Sequence, residues 1–355
     1  VENLNAYEKP VTLKNIVKFA VPTIAMTVFM SFYTMVDGLF VSNLIGTDAL
    51  SAINLTAPVI QLVTAVSTML ATGGSAVIMK KMGEQKTDEA KEDFTFLIIV
   101  NVIVGLVMCA AGYLAMDFIF AGLFVFSRKK SLLHFKKPVF RIRVLGSAAS
   151  NGCSEMATAL VTGIVTMMFN WTMLHYVGED GVAAVTIIMY VLMFASSLYT
   201  GYSYGVAPML SFYYGEQNHE KLKKLVGLSM KVIAVISVIT AAASFVMTRP
   251  LVSVFARPDN PVYNLAVTGN RICTAALLFI GFNIFASGMF TALSNGIVSA
   301  VLAFSRSFVF MLITMIALPL LLGVNGIWLA TPVAELMALS LSFFMLLKYR
   351  KRYGY

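Results

Sequence analysis

Two acidic residues stand where acids are expensive. Asp37 falls inside the apolar run that starts near Ile16, and Glu155 inside another that starts near Ser147. A carboxylate at the centre of a bilayer costs ~2.5–3.5 kcal/mol on insertion scales, which makes an intramembrane acid a functional candidate by default. Burial favours the protonated form, so either group could take up a proton. A carboxylate facing a cavity could also attract an organic cation while apolar walls supply most of the affinity. The plainer reading places Asp37 near the outer end of its helix and Glu155 at an interfacial helix end.

The elements that must position them follow from composition. Of the 355 residues, 59% are hydrophobic and only 12% are charged, with a mean hydropathy of +0.83. Soluble domains average ~45–50% apolar and ~25% charged residues, so this chain belongs in a bilayer. The net charge of +9 does not point to nucleic acid, because the basic residues lie in short segments between apolar runs. Positive loops flanking membrane helices account for it. Cys109, Cys153 and Cys273 sit within apolar runs without paired spacing and are expected to pack as small hydrophobes. His134, His175 and His219 lack ligand spacing, so no metal site is expected. No cleavable signal peptide is evident in VENLNAYEKPVTLKN, and a first residue of Val rather than Met points to an incomplete start.

A helix needs ~20 mostly apolar residues to cross the hydrocarbon. Runs of that kind fall near 16–40, 51–79, 94–116, 147–174, 182–212, 225–247, 264–292, 297–321 and 325–347. Their length and continuity favour helices over a barrel. Lys and Arg cluster at Lys9 to Lys18, Lys80 to Lys91, Arg128 to Arg143, Lys221 to Lys224 and Lys348 to Arg352, all expected on the cytoplasmic side. One stretch resists this scheme. Between Met116 and the basic segment 127–143 lie only FIFAGLFVF, about half a span, so a break, hairpin or bent helix is expected at Asp117.

An internal repeat measures the irregularity. The segments starting at Ile45 and Val177 align without a gap, pairing Gly46 with Gly178, Gly73 with Gly205, and Gly83-Glu84-Gln85 with Gly215-Glu216-Gln217. The offset is 178 − 46 = 132. FAGLFVFSRKK (120–130) resembles FFMLLKYRKR (343–352), but there Arg128 pairs with Arg350 at an offset of 222. The difference, 222 − 132 = 90, means that the first half lacks roughly 90 residues, nearly three spans. The expected architecture is an all-α polytopic membrane protein of two repeated helical lobes, with about nine full spans and a stub. The expected limits are 1–126 for a shortened N-terminal lobe, 127–146 for a basic cytoplasmic linker, and 147–355 for a six-span lobe. Repeats with an even ancestral number of spans run parallel.

The motifs MVDGLFVSNLIGTDALSAINLTAP (35–58), KKMGEQ (80–85), NGCSEMATALVTGIVTMMFN (151–170), GYSYGVAPMLSFYYGEQNHEKLKK (201–224) and GVNGIWLATPVAE (323–335) resemble the MATE (multidrug and toxic compound extrusion) transporters. SEM and GEDGVAAVTII look most like the MepA-like bacterial branch. The resemblance implies export of cationic or amphipathic compounds in exchange for protons or sodium, with no other cofactor, by a monomer in the bacterial inner membrane with both termini cytoplasmic. It also implies cation-coupling roles for Asp37 and Glu155. Asn283 stands where sodium-coupled relatives tend to carry an aspartate; an amide oxygen can ligate sodium but exchanges no proton. Joining two helices by a hydrogen bond is its equal alternative. Tyr199, Tyr202, Tyr204, Met167 and Phe169 are candidates to line a substrate cavity, against packing and interfacial roles for most of them. Two further readings stay open: a lipid or polysaccharide-precursor flippase of the same superfamily, and a truncated or degenerate chain without transport activity.

The remaining motifs carry plainer expectations. Gly73, Gly205 and Pro208 permit close packing or a bend, and each GEQ is a helix-ending turn with glycine at the stop. Arg306 and Glu335 are expected toward helix ends, with Arg306 snorkelling. There is no GxxxxGK[ST] motif and no Ser–His or paired-carboxylate arrangement, so neither ATP-driven transport nor an enzyme is supported.

Overall fold

A computed structural model describes residues 10–44, 47–112 and 142–355; within its helices the side chains of 35, 37–63, 108–112 and 151–160 are not described. Asp117, the stub at 118–126 and most of the 127–146 segment therefore lie outside the described residues.

All the regular structure of the described backbone is helical, as apolar surroundings demand, because a helix satisfies its own peptide groups. The helices are α1 (Leu13–Leu44), α2 (Thr47–Gly83), α3 (Thr87–Gly112), α4 (Ile142–Tyr176), α5 (Glu179–Gly215) and α6 (His219–Val246). After the short α7 (Thr248–Ser253), α8 (Pro261–Cys273) continues through a 3-10 turn at Thr274–Ala276 into α9 (Leu277–Ala292). A π-helical turn at Ser305–Phe310 joins α10 (Gly296–Phe304) to α11 (Met311–Leu322), and α12 (Val324–Tyr353) closes the chain. Among the described residues six stretches are long and apolar enough to cross a membrane: Leu13–Thr34, Glu179–Gly215, His219–Val246, Pro261–Ala292, Gly296–Leu322 and Val324–Tyr353.

The repeat is visible in helix boundaries. α2 and α5 start and stop at the same offset, 179 − 47 = 132 and 215 − 83 = 132; the ends of α1 and α4 and the starts of α3 and α6 follow, 176 − 44 = 132 and 219 − 87 = 132. Both GEQ turns have the same wiring. Glu84 N–H donates to the Lys80 carbonyl at 3.0 Å and Glu216 N–H to that of Phe212 at 2.9 Å. Gln85 and Gln217 both take up the left-handed region, with φ 62° and 55°. The sequence pattern expected glycine at the stop, and glycine is indeed the last helical residue, but the left-handed residue is the glutamine two positions on.

Those glycines serve a contact between repeats. A methyl group added at Gly83 would collide with the Phe212 carbonyl oxygen of α5, and one at Gly215 with the Lys80 carbonyl of α2. The ends of α2 and α5 thus lie backbone to backbone. Gly205 similarly accepts Ala20 of α1, and Gly201 accepts Thr27, whose hydroxyl donates to the Ser197 carbonyl at 2.9 Å. This is how small residues join membrane helices. Around this seam a core runs across both repeats, including Ile16, Met82, Phe96, Tyr213, Leu225 and Phe290. A second core at the far part of the second repeat gathers Phe169, Met173, Val252 and Trp328.

Candidate functional site

The most buried long hydrophobic segment, α8 to α9, carries Asn283, which is 2% exposed. Its amide nitrogen donates to the Glu335 carbonyl at 2.9 Å and to Glu335 Oε2 at 2.8 Å. Its oxygen accepts from the Ser342 hydroxyl at 2.9 Å. Arg306, in the π-helical turn, places Nη1 3.3 Å from Glu335 Oε1. α9, α12 and the π turn therefore meet in one polar cluster inside an apolar lobe. π turns widen a helix locally and recur at functional sites. Of the two sequence-based readings of Asn283, the described contacts are those of an amide that ties helices together.

Arg306 and Glu335 do not sit at helix ends. Glu335 lies well inside α12 and is buried, and Arg306 lies between α10 and α11. In a low-dielectric interior an unpaired charge is prohibitive, so each group is retained there by the other. The signal that selected Asp37, an acid inside an apolar run, also applies to Glu335.

The other candidates disperse. Tyr199 is buried, its hydroxyl donating to the Leu277 carbonyl at 2.9 Å and sharing a hydrogen bond with Thr240. Tyr202 is buried, its hydroxyl donating to Ser229 Oγ at 3.0 Å. Phe169 packs in the second core, whereas Met167, two residues earlier, is 73% exposed. The described contacts therefore do not bring Tyr199, Tyr202, Phe169 and Met167 around one cavity. Tyr204 is half-buried on α5. Asp37 on α1 and Glu155 on α4 lie on described backbone, but their side chains are outside the described residues. Cys273 is buried with its thiol against the Trp328 carbonyl at 3.3 Å, the packing role expected of it. Among the described residues no group of three or more His, Cys, Asp or Glu could hold a metal ion.

At the opposite extreme of polarity, the end of α2 and the start of α3 carry a cluster of charge pairs. Lys81 is bound to Asp93, which is fully buried, and lies 3.3 Å from Glu89. Lys86 in the turn bonds Glu84 at 3.0 Å, and that hydrogen bond, with the acid's charge, raises its pKa.

Two helical repeats at a constant offset of 132 residues, with ionisable groups inside the bundle, define a polytopic α-helical membrane protein built by duplication. The chain belongs to the MatE family, whose model matches residues 22–163 and again 155–316. It is accordingly a membrane transporter of that family and not an enzyme. Solved structures share the fold at low identity. A MATE protein in complex with MaL6 is 18% identical, with 99% of this chain and 100% of that one covered and a TM-score of 0.87. An outward-facing multidrug resistance MATE family transporter of the MOP superfamily is 17% identical, with 99% of each covered and a TM-score of 0.87. The Vibrio cholerae MATE transporter VcmN is 15% identical, with 96% and 97% covered and a TM-score of 0.83. No curated protein matches the sequence.

Proposed function

We propose that this chain is a secondary efflux transporter of the MepA-like bacterial branch, exporting cationic or amphipathic compounds in exchange for protons or sodium. The observation that carries this reading is the double family match, which spans both repeats and includes the segments holding Asp37 and Glu155. The lobes are taken as 1–126 and 147–355, joined by the basic segment 127–146, with both termini in the cytoplasm. In this reading the first lobe has lost about 90 residues relative to the second, the difference between the two repeat offsets. Asp37 and Glu155 are the coupling sites, and ion binding at either must differ between inward- and outward-open states to drive the cycle. Asn283 supports coupling only indirectly, since its amide is committed to Glu335 and Ser342. Tyr204 and the exposed Met167 are the remaining candidates to touch substrate.

Purified protein in proteoliposomes, loaded with a cationic dye, tests the reading. Dye efflux is expected under an imposed proton or sodium gradient, and Asp37→Asn and Glu155→Gln are each expected to reduce it at least tenfold. Equal transport by all three proteins would remove both coupling assignments, and no gradient-dependent efflux would favour the non-transporting alternative.

A further inference from the structure

Near the closed seam lies a cavity of about 560 Å³ between the end of α2, the start of α4 and the turn joining α9 to α10. Its charged lining is Lys80, Lys81 and Arg143, with Glu84 as the one acid. Lys81 is engaged by Asp93 and Glu89. Lys80 is only 3.9 Å from Glu84, a loose pair. Arg143 has no carboxylate partner among the described residues and is exposed. On the same face of α4, spaced by three or four residues, Ser147 and Ser150 also line the cavity and are exposed to it. Across from them Ser294 is held in the left-handed region at φ 57°, and its buried hydroxyl has no hydrogen-bond partner. An enclosed hydroxyl left without a partner is costly, and with Lys81 held by its own two acids, Lys80 and Arg143 facing Glu84 leave the cavity net positive.

We infer that this cleft binds the phosphate headgroup of an acidic phospholipid. Arg143 presents a planar fork suited to two phosphate oxygens, with Lys80 as a second cation and the exposed Ser147 and Ser150 as neutral donors. The choice of a lipid over a free anion rests on position. The cleft opens beside membrane helices, Ile142 next to Arg143 is 64% exposed, and Val77 one turn below Lys80–Lys81 gives the cavity an apolar wall. Basic pockets between helix ends are a recurring form of headgroup site. Because α2 belongs to the first repeat, and α4 and Ser294 to the second, the headgroup bridges the repeats next to the Gly83–Gly215 seam. A ligand that binds only the joined arrangement stabilises it by mass action. This site is independent of which compound is transported or which ion drives transport.

The test is binding and thermal unfolding of the purified full chain in neutral detergent. Added phosphatidylglycerol is expected to be retained and to raise the unfolding midpoint, while phosphatidylcholine does neither. Arg143→Ala and Lys80→Ala are each expected to weaken phosphatidylglycerol binding about five- to tenfold, as loss of one basic contact should. Lys223→Ala, which removes an exposed charge from α6 away from the cavity lining, is expected to leave it unchanged. Equal weakening by Lys223→Ala would reduce the effect to general surface charge and overturn the site. So would retention of phosphatidylcholine as strongly as phosphatidylglycerol. Millimolar inorganic phosphate giving the same stabilisation as the lipid would overturn the lipid assignment. Since none of these readouts uses transport, their failure is separable from failure of the efflux reading.

Discussion

The two repeats solve one packing problem in opposite ways. Lys81 and Asp93 of the first repeat are equivalent, at the offset of 132, to Tyr213 and Leu225 of the second. Asp93, Tyr213 and Leu225 are all fully buried. The first repeat ties α2 to α3 with a charge pair, and the second ties α5 to α6 with apolar contact in the shared core. The turns that join these helices are nevertheless superposable in their hydrogen bonds and in the left-handed Gln85 and Gln217. Backbone geometry has therefore outlasted side-chain chemistry. A turn tolerates few conformations, whereas a buried ion pair can often be replaced by apolar residues of similar volume.

The largest expected effect breaks the charge pair from one side. Asp93→Asn is expected to cost about 3 kcal/mol, since it strips Lys81 of its buried partner and leaves only the more exposed Glu89. The sharper measurement is a double-mutant cycle by detergent-based unfolding. Lys81→Tyr with Asp93→Leu imports the second repeat's pair, and the double variant is expected to be more stable than either single one. A double variant as damaged as the sum of its singles would mean that the two repeats are not interchangeable here.

The seam between the repeats gives the next effect. Gly83→Ala and Gly215→Ala are each expected to cost about 1–3 kcal/mol, because a methyl group in a filled contact must push the opposing backbone away. By symmetry the two costs should be similar, and the double variant should cost less than their sum, since one separation of α2 from α5 relieves both. Strict additivity in thermal unfolding would show that the glycines act at independent places.

The smallest effect lies in the second repeat alone. Ser342→Ala removes one donor from Asn283 and is expected to cost about 1 kcal/mol. Loss of more than that would mean the Asn283–Glu335–Arg306 cluster acts as a unit, with removal of one member loosening the rest.

Much of this protein is written in local pattern. Apolar run length determines the spans, because bilayer thickness sets a fixed number of residues per crossing. The duplicated GEQ turns and their constant offset announce the repeat, because helix stops depend on a few neighbouring residues. Asp37 and Glu155 could be singled out as acids in apolar runs by the same one-dimensional logic. The meeting of Asn283, Arg306 and Glu335 could not, since 52 residues separate the first from the last and only the crossing of α9, α12 and the π turn joins them. Nor could the sequence tell the buried Tyr199 and Tyr202 from the exposed Met167, for helices that are apolar on every face give no period to show which side turns inward. Gly83 and Gly215 are the clearest division. Their place at the helix ends follows from sequence alone, but their role as the seam between repeats exists only where two backbones come too close for a side chain.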